Sequence, residues 1–316
     1  MGISKFLSGI QENISLANHT TFKIGGPARY FFVAKNREDV ISALKAAKES
    51  GIPYYIIGGG SNLLVSDEGF EGLVVKFQVS SFKFQGNKIT ADAGVSLGEL
   101  VIESINAGLT GLEWAMGIPG TIGGAIVGNA GAYGHSTSEA VKEVKTLNAE
   151  FKVSSYKFQD CGFVYRGSAF QQKNEIITEV GIELRKGDKE KSMKQLKDII
   201  LQRRTKVPPY PSAGSFFKNY RLESKDYNKD PLVKRFPDLI KKIRSNKIGV
   251  AYLIDQCGLK GKQIGGAKVA EEHANFIVNA GGATAKDVLG LADICKQKVK
   301  EKYGLELKPE KRFLGF

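Results

Sequence analysis

Histidine and tryptophan are nearly absent from this chain of 316 residues: three histidines (His19, His135, His273) and a single tryptophan. So few histidines exclude the ligand clusters of a zinc enzyme and argue against a serine–histidine hydrolase. Cysteine is equally scarce. Cys161, Cys257 and Cys295 are odd in number and lack metal-type spacing, so they read as reduced thiols, and no metal is expected. No run of 18 apolar residues occurs, and the N-terminus (MGISKFLSGIQENIS) has no sustained apolar core. The sequence thus predicts a cytoplasmic protein with no membrane partner. Nucleotide fingerprints are missing as well. Gly58-x-Gly60 is followed by Leu63 where a dinucleotide motif needs its third glycine, and neither GxxxxGK[ST] nor GxSxG is present. The chemistry must therefore be run by a cofactor together with Arg, Ser, Glu or Lys.

Glycine, by contrast, is concentrated. Residues 117–134 (GIPGTIGGAIVGNAGAYG) hold seven glycines in eighteen positions, although each glycine inside a helix or strand costs roughly 0.5–1 kcal/mol against alanine. A shorter case follows the apolar run 54–57, where Gly58-Gly59-Gly60-Ser61-Asn62 stands. Two such loops, one launched from a strand, point to backbone N–H groups cradling a phosphate-bearing ligand. Charge is concentrated too: residues 185–247 carry 19 Lys and Arg against 7 Asp and Glu, nearly the whole formal excess of +13. Such a segment can steer anionic ligands. It has few aromatics to stack bases and no nucleic-acid module motif, so no nucleic acid is expected.

The pattern along the chain is mixed α/β. Asn36 is placed to cap a helix to Ser50, with Val40, Ile41, Leu44 and Ala47 on one face and Gly51 ending it. Strands are predicted at 54–57, 63–65 and 73–77, and a hairpin over 82–93 around Gly86-Asn87. Ser96 with Glu99 reads as a capping box for a helix ending at Asn106-Ala107-Gly108. A helix near 192–206 is stopped by Pro208, Pro209 and Pro211. Residues 220–248, charged and low in β-branched residues, read as an insertion or a mobile excursion. A last helix is predicted from a Thr284 cap to Tyr303, stopped by Gly304.

Six motifs then occur in order: Thr21-Phe22-Lys23-Ile24-Gly25-Gly26-Pro27-Ala28, the loop 58–62, GIPGTIGGA at 117–125, Tyr165-Arg166-x-Ser168-x-Phe170, AGSFFKN at 213–219, and Pro309-Glu310-Lys311-Arg312-Phe313. Together they resemble the UDP-N-acetylenolpyruvoylglucosamine reductases, flavoenzymes of bacterial peptidoglycan synthesis, over roughly residues 17–219 and 249–316. The short chain between Arg166 and the helix at 192 is similar to the shorter second subclass of that family. One departure is Tyr220, where the family usually has proline after AGSFFKN.

The resemblance implies an α+β fold. An N-terminal extension (1–16) would precede an FAD-binding domain over 17–186 in two α+β lobes (about 17–80 and 81–186) of the vanillyl-alcohol-oxidase type. A substrate domain over 187–316 would follow, with the charged insertion and a C-terminal tail that returns to the active site. It also implies non-covalent FAD, consistent with loops that hold no His or Cys to tether it, and NADPH as hydride donor. The reaction would be reduction of UDP-N-acetylglucosamine enolpyruvate to UDP-N-acetylmuramate. By motif match, Arg166 is the cation at the substrate carboxylate, Glu310 the polarising acid and Ser215 the proton donor to the α-carbon. Cofactor contacts fall on Ile57, Gly58, Gly59, Gly60, Ser61, Asn62, Gly117, Ile118, Pro119, Gly120, Thr121, Gly123, Gly124 and Ala125. Lys206, Lys218 and Asn219 fall to the UDP-sugar or the nicotinamide cofactor. The alternative is another small-molecule oxidase or dehydrogenase on the same flavin fold.

Overall fold

The computed structural model describes residues 3–316 and divides into two units. The first combines the N-terminal segment through Ser15 with Pro27–Gly60 and Phe70–Arg204; the second combines Leu16–Gly26, Ser61–Gly69 and Thr205–Phe316.

The first unit holds two sheets. In one, strands Pro27–Ala34, Phe70–Phe77 and Tyr54–Ile57 lie parallel, and Gln11–Ser15 joins antiparallel at the edge. The parallel strands read as nearly continuous apolar runs, as strands covered on both faces do. Helix α1 (Arg37–Glu49) buries Val40, Ala43, Leu44 and Ala47, and the Asn36 side chain caps it by accepting from the Asp39 N–H at 2.7 Å. The second sheet is antiparallel, ordered Val153–Lys157, Val141–Leu147, Ile176–Glu183, Lys88–Asp92 and Phe82–Gln85. Its last two strands form the hairpin at Gly86-Asn87. Helices α2 (Leu97–Asn106) and α3 (Ile122–Gly128) pack into the same core, which includes Leu100, Val101, Ile122 and Ile126.

Three sequence expectations change here. Ser96 stands at the N-cap of α2 but makes no side-chain cap; its backbone is bridged to Thr121. Within the predicted extension, residues 11–15 form a sheet strand. The unit also extends to Arg204, not to about 186. Helix α4 (Lys189–Lys206) belongs to it because Leu196 joins its core and the Ser192 hydroxyl donates to Glu113 at 2.6 Å.

The second unit is built around an antiparallel sheet ordered Ser212–Ser215, Phe276–Asn279, Ala267–Val269 and Gln263–Ile264. The charged insertion carries secondary structure of its own. Helix α5 (Pro231–Arg235) is capped by Asp230, whose buried carboxylate accepts from the N–H groups of Leu232 and Val233 and from the Tyr220 hydroxyl. Strands Tyr220–Arg221, Lys247–Ile248 and Ile243–Arg244 close it as a three-stranded sheet. Helix α6 (Val250–Gln256) and helix α7 (Ala285–Tyr303) follow. Helix α7 starts at a Thr284–Asp287 capping box, buries Val288, Leu291, Cys295 and Val299, and ends at Gly304. The C-terminal strand Arg312–Leu314 pairs in parallel with Leu63–Val65, which draws residues 61–69 into this unit.

Candidate functional site

In the first unit the two glycine-rich segments lie against each other. A Cβ on Gly59 would stand 2.6 Å from the Gly120 Cα, and one on Gly58 would stand 2.6 Å from the Thr121 hydroxyl oxygen. No other residue type allows backbone to approach backbone this closely. Ile57, buried at the end of its strand, launches the first loop. The Lys76 ammonium donates to the Gly58 carbonyl at 2.5 Å. A trans peptide points its N–H opposite its C=O, so this bond turns the Gly59 N–H away from the lysine. Burial holds the Lys76 pKa below the usual lysine value.

The second segment is stitched into the sheet. Thr121 caps α3 by accepting from the Gly124 N–H, while Ile122 donates to Val95, Gly123 to Ala93 and Ala125 to Thr121. The N–H groups of Gly123, Gly124 and Ala125 are therefore engaged within the protein. Gly117, Ile118, Pro119 and Gly120 precede them in a turn where Gly117 (φ 75°) faces Arg203 and Ile118 donates to Ala115.

Arg166 sits at the tip of a tight turn closed by a bridge between Val164 and Gly167. It adopts φ 55°, a left-handed conformation that is uncommon for a non-glycine residue, and such strain concentrates at functional positions. Its guanidinium lies 5.7 Å from the Tyr165 ring centre. The turn is tied to the glycine-rich segment twice: Asn129 donates to the Val164 carbonyl at 3.0 Å and Ser168 to the Val127 carbonyl at 3.0 Å. The spacing of the Tyr165–Phe170 motif is explained by these ties and by buried Phe170 against Tyr156.

In the second unit Ser215 ends its strand opposite Phe276. Buried Asn275 clamps the next two residues, accepting from the Phe217 N–H at 2.9 Å and donating to the Phe217 carbonyl at 2.8 Å. The tail runs alongside: Glu310 donates its N–H to the Phe216 carbonyl at 2.8 Å, and Phe217 bridges Pro309. Ser215 and Glu310, 95 positions apart in sequence, are thus brought onto adjoining segments, with Glu310 half-buried rather than frayed. Asn62, which with Ser61 ends the first loop, belongs to this unit and donates to the Glu310 carbonyl at 3.2 Å. Lys218 donates its N–H to Lys308, and Asn219 uses its Oδ1 to accept from Val250 at the start of α6. Lys206 is exposed at the end of α4.

Two residues were given no role from the sequence. Lys76 and His273 carry no local signal, one lying in a strand and the other in a turn. His273 packs edge-on against Phe276, and its Nδ1 is buried with no hydrogen-bond partner among the described residues. Burial, with Lys260 and Lys206 nearby, holds its imidazole below the ordinary histidine value. The thiols are poor nucleophiles: burial pushes Cys161 up to about 11 and Cys295 up to about 12.

The chain resembles known proteins over nearly its whole length. Residues 205–314 match the family described as UDP-N-acetylenolpyruvoylglucosamine reductase, C-terminal domain, and residues 28–153 match an FAD binding domain. The UDP-N-acetylenolpyruvoylglucosamine reductase of Caldanaerobacter subterraneus subsp. tengcongensis is 39% identical over 305 residues, covering 96% of this chain and 93% of that one. That of Alkaliphilus oremlandii is 39% identical over 303 residues, covering 95% and 91%. The crystal structure of the reductase from Thermus caldophilus superposes with a TM-score of 0.76 at 31% identity, over 96% of this chain and 99% of that one. A mixed α+β fold, an FAD-binding domain and likeness across nearly the whole length lead to one conclusion: this chain belongs to the UDP-N-acetylenolpyruvoylglucosamine reductase family.

Proposed function

We propose that this chain reduces UDP-N-acetylglucosamine enolpyruvate to UDP-N-acetylmuramate with NADPH as the hydride donor, and that Arg166, Ser215 and Glu310 act on the enolpyruvyl group. The observation that carries the assignment is the backbone hydrogen bond that sets Glu310 on Phe216, the residue after Ser215. FAD, when bound, supplies hydride transfer from the nicotinamide to the β-carbon of the enolpyruvyl ether.

Gly58 and Gly59 pack against Thr121 and Gly120 and so set two stretches of bare backbone side by side, the kind of N–H-bearing surface that suits a diphosphate. Gly58, Gly59, Gly60, Ser61, Asn62 and the 117–121 turn would hold its phosphates. Gly123, Gly124 and Ala125 shape the cradle rather than donate to it, their N–H groups being engaged elsewhere. As charge builds on the substrate carboxylate, the Arg166 guanidinium pairs with it and Glu310 polarises it. The Ser215 hydroxyl gives its proton to the α-carbon and regains one from solvent. Lys206 and Lys218 draw the substrate diphosphate, and Asn219 offers its Nδ2 to the same ligand.

Purified protein is expected to be yellow and to release intact FAD on denaturation. NADPH should bleach it without oxygen, and the enolpyruvyl substrate should restore the colour. Protein that takes up no FAD, or colour that returns only with oxygen, would overturn the reading.

A further inference from the structure

A buried cation stands where three functional segments of the second unit meet. Lys311 is 7% exposed, although lysine is almost never fully buried without strong partners. Its ammonium donates to the Asn62 side-chain oxygen at 2.6 Å and to the Ala213 carbonyl. It also lies beside Gly214, where a Cβ would be 3.8 Å from Nζ. Asn62 answers by donating its Nδ2 to the carbonyl of Glu310, the residue before Lys311, and its own carbonyl accepts from the Arg312 N–H. The side chain thereby closes a ring of bonds among the end of the glycine loop, the strand that carries Ser215, and the tail that carries Glu310.

We propose that Lys311 is a positioning residue that fixes Ser215 and Glu310 in register by anchoring the C-terminal tail to Asn62 and Ala213. The tail changes partner at this point. Its pairing with the 216–218 segment stops at Glu310 and its pairing with Leu63–Val65 starts at Arg312. Lys311 fills the crossover between the two ladders. A neutral side chain there would leave the Ala213 carbonyl and the Asn62 oxygen without their charged donor. The hydrogen-bonded junction stands independently of the proposed reaction; its catalytic consequence rests on that reaction.

The test is Lys311→Met in the full chain, with Lys311→Gln as a second variant should the first not fold. In flavin-free protein, hydrogen–deuterium exchange of the Glu310 and Arg312 amides should accelerate about tenfold, with the α7 amides unchanged. In FAD-loaded protein, reduction by NADPH should stay within about threefold of wild type. Reoxidation by the enolpyruvyl substrate should slow about thirtyfold, because only that step needs Ser215 and Glu310 in register. Unchanged exchange at the tail amides would overturn the junction. Faster exchange with an equal fall in both half-reactions would overturn the positioning role in favour of general stability. If wild-type protein neither binds FAD nor uses the enolpyruvyl substrate, the proposed reaction fails, and the exchange measurement alone decides whether Lys311 anchors the tail.

Discussion

The bond from Lys76 to the Gly58 carbonyl makes a testable link between one buried side chain and cofactor affinity. Lys76→Met removes a charge-assisted hydrogen bond of about 1.5–3 kcal/mol. If the loop then relaxes, FAD should dissociate at least about tenfold more readily. Titration of apo-protein with FAD checks this, and an unchanged dissociation constant would show that the loop holds its direction without Lys76. His273 gives a pH signature of its own. Burial holds its folded pKa below the ordinary value of about 6.5. Between the folded value and about 6.5 the unfolded chain therefore carries the extra proton, and stability falls as pH drops through that window. His273→Gln should flatten this limb of the denaturation profile, whereas an unchanged slope would place the titration elsewhere. Neither residue was legible in the sequence. A lysine among 46 Lys and Arg reads as solvated surface until the fold shows which one is buried.

Elements with local signals formed where the sequence placed them: α1 from its Asn36 cap, α7 from Thr284 to Gly304, and the hairpin at Gly86-Asn87. Those fixed by distant partners did not show in advance. Ser96 has the sequence of a capping box but is bridged to Thr121. The insertion looked unstructured because its organising residue, Asp230, is one acid among many basic neighbours. Asp230→Ala should release the cap on α5 at a cost of about 0.5–2 kcal/mol. Trypsin should then cut within residues 221–247 well before the rest of the chain, and equal resistance would mean that the small sheet alone holds the insertion. Helix α4 depends on a similar polar anchor. Burial raises the Glu113 carboxyl, but donors from Ser192, Thr110 and Gly111 outweigh it and hold the group below its ordinary value. Ser192→Ala should lower stability by about 1–3 kcal/mol. The loss should appear above the carboxylate range and vanish in acid, where Glu113 is protonated in either variant.

At the scale of the whole molecule, charge is unevenly distributed: residues 185–247 hold most of the basic excess, and the insertion within them is now seen to be folded. Both proposed ligands are anionic, so this segment should raise association more than chemistry. Between roughly 0.02 and 0.3 M salt, as the Debye length falls from about 20 to 6 Å, kcat/KM should fall while kcat holds. A kcat/KM indifferent to salt would return these lysines to solvent duty. The division into units was only partly legible. Composition marks the glycine loops and the prolines at 208–211, but capture of residues 61–69 by the second unit depends on pairing with the C-terminal strand, and that of residues 16–26 on bonds such as Thr21 to Ser212 and Asn279 to Phe22. The motifs were legible in the sequence and the return of the tail was implied by the family resemblance, but the Phe216–Glu310 contact itself leaves no local trace.

The central claim is that Ser215 supplies the α-carbon proton, and stopped-flow flavin absorbance of Ser215→Ala tests it most directly. Reduction by NADPH should proceed near the wild-type rate, because no proton goes to the sugar substrate in that step. Reoxidation by the enolpyruvyl substrate should slow by at least the ~10²–10⁴ typical of losing a general acid, and Ser215→Cys should recover part of it. Reoxidation at the wild-type rate in the alanine variant would remove Ser215 from the chemistry.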